Sequence, residues 1–117
     1  MIIQRRTRPV SWIKAARKAF EEFPQDAQDD VLTALTIAAD GGFPGNVKPM
    51  KGLGAGVYEV ALRRRTDAYR TVYTLQFAET LWVVHAFQKK STSGIKTPKH
   101  EIDLIIERIK RLKEILK

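Results

Sequence analysis

Three short runs between Val57 and Phe87 constrain the fold more than any other part of the chain. Val57–Arg63, Ala68–Leu75 and Thr80–Phe87 are dense in β-branched and aromatic residues. Charged or small residues separate them, which is the pattern of strands joined by turns. Placing the turn tips at Thr66-Asp67 and Ala78-Glu79 gives an antiparallel sheet with a definite register. It opposes Arg63 to Arg70, Leu62 to Thr71, Val60 to Tyr73, Thr74 to Val83 and Val72 to His85. Side chains alternate between faces with period two. One face then gathers Tyr58, Val60, Leu62, Tyr69, Thr71, Tyr73, Leu75, Trp82, Val84 and Ala86, a core surface. The other gathers Glu59, Ala61, Arg63, Arg70, Val72, Thr74, Val83, His85, Phe87 and Lys89, mixing cations with one carboxylate and one imidazole. Two arginines directly opposed would destabilise the sheet unless a polyanion lies between them, Glu59 neutralises them diagonally or they splay into water.

At 117 residues the chain is expected to be a single domain, 1–117, with a core of its own. No run approaches the roughly 18–20 apolar residues of a membrane span. Met1–Arg6 is too short in apolar content for a secretion signal, so a cytoplasmic location is expected. The absence of cysteine excludes a disulfide frame, a thiolate metal site and a thiol nucleophile. With only His85 and His100 as imidazoles, neither a metal nor a cofactor is expected. The formal charge of +8 is uneven. Met1–Phe20 holds six basic residues and no acidic ones, whereas Glu21–Val47 holds six acidic and no basic ones. Such a balance suits a polyanionic partner, nucleic acid or an acidic protein, although a solvated surface would read the same way.

Around the sheet the chain reads as helices and loops. Met1–Thr7 is expected to form a short strand. Ser11 caps a helix over Trp12–Glu22, whose Lys14, Arg17 and Lys18 lie away from the apolar stripe. Pro24 and Asp26 suit the first turn of a second helix that Gly41-Gly42 ends, so the two make a hairpin. Asp29, Asp30 and Asp40 are too dispersed on that helix to hold a metal. Phe43–Gly56 reads as a loop. Its Gly52-Leu53-Gly54-Ala55-Gly56 precedes a strand rather than joining a strand to a helix, which removes it as a phosphate cradle. Thr97 as cap and Pro98 as first residue begin a last helix. It carries Ile102, Ile105, Ile106, Ile109, Leu112 and Leu116 on one stripe.

Tyr58–Arg63, Asp67–Tyr73 and His85–Lys90, in that order and spacing, resemble the three strand motifs of the RelE/ParE toxin superfamily. The later Thr97-Pro98 helix is similar to that of its phage-derived HigB-like branch. The resemblance implies an α+β microbial RNase fold: an antiparallel sheet with an N-terminal helical hairpin on one face and a C-terminal helix. It implies the toxin of a type II toxin–antitoxin system, cutting mRNA on the ribosome without a metal and opposed by a helix-turn-helix antitoxin. By position, Arg70 matches the cation on the scissile phosphate, Lys89 or Lys90 the leaving-side cation, and Arg63 a supporting one. Glu59 and Ala61 stand where RelE has two lysines, and the catalytic tyrosine has no counterpart after Lys90. Glu59, His85 or His100 are left as the base. His85, flanked by Val72 and Phe87, reads equally well as a core residue. The rival function on this fold is a non-enzymatic, ParE-like gyrase poison.

Overall fold

A computed structural model describes residues 7–77, 79–90 and 96–116, with Lys90 described by its backbone alone. The element order is β1 (Val10–Trp12), α1 (Lys14–Phe20), α2 (Gln25–Ala39), β2 (Val47–Pro49), β3 (Val57–Arg64), β4 (Asp67–Thr74), β5 (Leu81–Lys90) and α3 (Lys99–Ile115). The strands form one sheet in the order β1-β5-β4-β3-β2, antiparallel except for β1, which runs parallel to β5. The three expected strands are its centre. Two flanking strands of three residues each escaped the sequence reading, because alternation cannot show over so short a length. The sequence pattern places Trp12 in a helix and Val47–Pro49 in a loop, whereas both stretches join the sheet. The strand expected over Met1–Thr7 lies outside the described residues except for Thr7, whose hydroxyl bonds Asp40.

Two helices start later than the polar residue expected to cap them, Ser11 for α1 and Thr97 for α3. Ser11 is drawn into β1, so α1 begins only after Ile13. Pro24 and Pro98 occupy the N-cap positions of α2 and α3, ahead of the first helical turn, and neither helix has a side-chain cap. Gly41 follows α2 with φ +93, a left-handed value that glycine adopts without strain. Gly54 and Gly56 take φ +87 where the chain passes Gln76 on its way into β3, the backbone relief expected of them.

The register departs from expectation at two places, with different consequences. In the β3–β4 hairpin Arg64 pairs with Asp67, so the tip is Arg65-Thr66 and Arg65 takes a left-handed φ of 57°. Arg70 therefore faces Ala61, and Arg63 faces Ala68, not Arg70. The slip is two residues, so every β3 and β4 side chain keeps its expected face. Between β4 and β5 the pair Val72–His85 forms as expected. A bulge then makes Val84 an extra residue, and Thr74 meets Trp82 instead of Val83. Beyond the bulge the faces exchange: Leu81 and Val83 join the core under α1 and α2, while Trp82 and Val84 turn to the α3 side.

Both faces are covered. Ala16, Phe20, Phe23, Val31 and Leu35 of the helical hairpin close over Val60, Leu62, Tyr69 and Tyr73. On the other face Ile105, Ile109 and Leu112 of α3 close over Val57, Val72 and Val84. The expected α3 stripe is narrower than its apolar residues: Ile106 and Leu116 remain exposed. No helix among the described residues is long and apolar enough to cross a membrane.

Candidate functional site

The site begins with a small residue. Because Ala61 opposes Arg70 across the β3–β4 ladder, the guanidinium has room to lie along the sheet. Its diagonal neighbours on β3 are Glu59 and Arg63. Glu59 wins the contact: Arg70 Nη1 donates to Glu59 Oε1 at 2.9 Å. Both groups are buried, Glu59 being 1% and Arg70 6% exposed, so neither is reachable without movement of what covers them. Thr97, just ahead of α3, lies against the carboxylate. Thr97 Oγ1 donates to Glu59 Oε2 at 2.8 Å, which is why Thr97 does not cap its own helix.

His85 stands one strand away on the same face, tilted against Phe87 with ring centroids 5.4 Å apart. Arg108 of α3 places Nη1 2.7 Å from His85 Nδ1 and 3.0 Å from the carbonyl oxygen of Val84. A guanidinium only donates, so Nδ1 must accept, and the ring proton lies on Nε2. Nε2–H then donates to Glu101 Oε1 at 2.7 Å. Burial holds the imidazole pKa below its ordinary value. The Glu101 hydrogen bond works against that shift and the Arg108 charge adds to it. His85 is thus a neutral linker between the β5 bulge and α3, with both nitrogens engaged.

The remaining sequence-selected residues spread outward. Lys89 donates from Nζ to the Lys96 carbonyl at 2.8 Å, on the face it shares with Phe87 and at the start of the chain toward α3. Arg63 is exposed near the hairpin tip. His100 is exposed on α3, 3.2 Å from Glu101 Oε2. The Lys90 side chain lies outside the described residues. Tyr73, on the opposite face, is pushed up to about 12 by burial, so its hydroxyl keeps its proton at neutral pH. Arg64 points to the α2 side and pairs with Asp26 and Asp30, and Asp29 accepts from Gln25. Among the described residues no group of carboxylates and imidazoles forms a metal site.

Sequence reasoning missed Thr97 as a site group, Glu101 and Arg108. Glu101 and Arg108 lie seven residues apart on one helical face. That spacing was legible, but what they face depends on a bulge that the alternation pattern does not reveal.

These elements define an α+β protein whose mixed five-stranded sheet is held between a helical hairpin and a terminal helix. The profile of the family described as phage-derived protein Gp49-like matches residues 18–110. The chain belongs to that family, and its fold is that of the RelE toxins. A mutant of the Escherichia coli toxin RelE in the free state aligns with a TM-score of 0.64 at 14% identity, covering 88% of this chain and 98% of that one. The isolated E. coli RelE toxin aligns at 0.58 and 15% identity, covering 90% and 98%. The toxin–antitoxin complex RelBE2 from Mycobacterium tuberculosis contains a chain aligning at 0.50 and 19%, covering 71% and 92%. No curated protein sequence matches the chain significantly.

Proposed function

We propose that the chain is the toxin of a type II toxin–antitoxin pair and a metal-independent, ribosome-associated mRNA endoribonuclease, countered by a helix-turn-helix antitoxin. The observation that carries this reading is the buried contact of Arg70 with Glu59. A guanidinium can grip two phosphate oxygens at once. The carboxylate touching it now occupies the place of that anion. Buried ion pairs are roughly break-even for stability, so a pair kept in the sheet centre suits a ligand-binding role better than a structural one.

In this reading the Thr97 end of α3 moves aside and a scissile phosphate replaces Glu59 on Arg70. The released Glu59 takes the ribose 2′-hydroxyl proton, and the 2′-oxygen bonds to phosphorus. Arg70 stabilises the pentacoordinate phosphate, the bond to the 5′-oxygen breaks, and the leaving oxygen takes its proton from the ammonium of Lys89 or Lys90. Arg63 draws the strand toward the hairpin. Glu59 is favoured as base over His85, whose acceptor nitrogen is taken by Arg108, and over exposed His100. Electrostatic stabilisation is commonly the largest contribution to such a reaction.

The test is primer extension on mRNA in a translation reaction with Glu59→Gln and Arg70→Lys. Both variants keep a hydrogen-bonding partner in the buried pair, whereas Arg70→Ala would strand a buried carboxylate. Glu59→Gln should lower cleavage about 10²–10⁴-fold, the usual contribution of a proton-transfer group. Arg70→Lys, which keeps charge but loses the fork, should be impaired. Wild-type cleavage by Arg70→Lys overturns the assignment. Growth arrest without RNA cleavage would move the chain to the gyrase-inhibitor class.

A further inference from the structure

Away from Arg70, at the β1 edge of the sheet, the chain has a cleft of about 800 Å³ that the proposed chemistry does not use. Its floor is Ser11 with Trp12 of β1 and Trp82 of β5, and its wall is Lys14, Arg17 and Lys18 of α1. We infer that this cleft binds single-stranded RNA, with a base stacked on Trp82 and backbone phosphates on the α1 cations. The inference rests on the reading of the chain as acting on RNA.

The residues converge for separate local reasons. Lys14, Arg17 and Lys18 follow i, i+3, i+4 spacing and so share one side of α1, while Ala16 and Phe20 bury its other side. Trp12 is fixed by Phe20, with ring centroids 4.8 Å apart, and Trp82 by the cluster under α3. Each indole is half-buried, anchored on one side and open on the other. Aromatic rings held this way give a stacking platform at little entropic cost. Platforms interleaved with cations are how single strands are bound without sequence readout.

Charge selects the occupant. Three cations face one carboxylate, Glu21, and that carboxylate is already engaged by Arg17 at 3.6 Å. An acidic peptide would satisfy the cations but leave the indoles unused. Adding a strand to β1 would gain little, since β1 is three residues long. RNA uses both features. Trp82 precedes Phe87, the residue opposite Arg70, by five positions on β5, roughly 17 Å along an extended strand. One RNA strand could therefore span from the cleft to the buried pair once the Thr97 end of α3 has moved aside, as the proposed cleavage requires.

Trp12 and Trp82 are the only tryptophans in the chain, so fluorescence excited at wavelengths where tyrosine does not absorb comes from the two indoles of this cleft. Titrating the whole protein with a short oligouridylate at low salt should quench that fluorescence. Trp82→Leu should weaken binding roughly 5- to 150-fold, the range for one lost base stack. Lys14→Ala/Lys18→Ala should flatten the log–log salt slope by about 0.7 for each phosphate contact removed. Trp82→Leu and Lys14→Ala/Lys18→Ala are read by the oligouridylate titration, and Glu59→Gln and Arg70→Lys by mRNA cleavage, so failure of the cleft and failure of the cleavage assignment show up separately. Fluorescence unchanged by the oligonucleotide overturns the inference, as does an unchanged salt slope in the double-lysine variant. Quenching by polyglutamate as strong as by RNA also overturns it, because no base is then stacked.

Discussion

The two faces of the sheet are covered in different ways. Under α1 and α2 the contact is apolar almost throughout. Trp12, Phe20, Phe23 and Tyr69 form a chain of rings at 4.8, 5.8 and 5.0 Å, backed by Val31, Leu35 and Val60. Burial of such side chains is non-directional and contributes about 1.5–3 kcal/mol each for a Val, Leu or Phe. Under α3 the apolar cluster is smaller, and beside it lie the hydrogen bonds Thr97–Glu59–Arg70 and Glu101–His85–Arg108. Directional contacts of that kind add little net stability and can be exchanged for contacts with a ligand. One face holds the domain together. The other holds the contacts that the proposed cleavage would exchange for a ligand.

The sharpest way to break this comparison is to place one charge on each face. Val60→Asp and Ile105→Asp both put a carboxylate at a fully buried position, an error that costs several kcal/mol. Val60 is held from both sides of β3, so its variant should lose the cooperative unfolding transition altogether. Ile105 can escape by releasing α3. Its variant should keep sheet and hairpin signals while α3 amides lose hydrogen-exchange protection. Global unfolding of both variants would mean that α3 belongs to the same cooperative unit as the hairpin.

A smaller perturbation sharpens the same contrast. Thr97→Val removes one hydroxyl and leaves Glu59 Oε2 without that donor, a loss of about 1–3 kcal/mol for a buried acceptor. The effect should be local, with faster exchange in the first turns of α3 and unchanged protection in β3 and β4. Uniform loss across the sheet would show that Thr97 supports the core rather than closing the site.

The same contrast explains what the sequence made legible. The apolar face was read nearly correctly because β3 and β4 keep strict alternation and a two-residue slip does not change faces. The grouping of Glu59 and Arg70 survived for that reason, and His85 and Phe87 kept their face because the bulge at Val84 lies on the other side of His85. Its covering did not. The α3 stripe showed that something must lie under the helix, but alternation alone located neither the bulge at Val84 nor the partners Thr97, Glu101 and Arg108. The expected Arg63–Arg70 clash vanished for a local reason: Arg65 accepted a left-handed φ, which moved the tip by one residue. Trp82 and Val84 were placed on the wrong face by the bulge alone.

The smallest effect expected is also confined to the α3 face. His85 meets Glu101 and Arg108 of α3, with exposed His100 beyond Glu101 and Phe87 against its ring. Protonation would put a hydrogen on Nδ1, facing the Arg108 guanidinium that now donates to it. Burial and that charge lower the folded-state pKa below 6.5. Between the folded value and about 6.5 the unfolded chain binds more protons, so stability rises with pH through this window. The contribution is fully present above 6.5 and is lost as pH falls toward the folded value. The midpoint of urea unfolding, or α3 exchange alone if the helix opens separately, should therefore decline from pH 8 to pH 5.5. His85→Asn keeps an acceptor for Arg108 and cannot titrate, so its profile should be flat over that range. A slope that persists unchanged in His85→Asn would show that His85 is not its source.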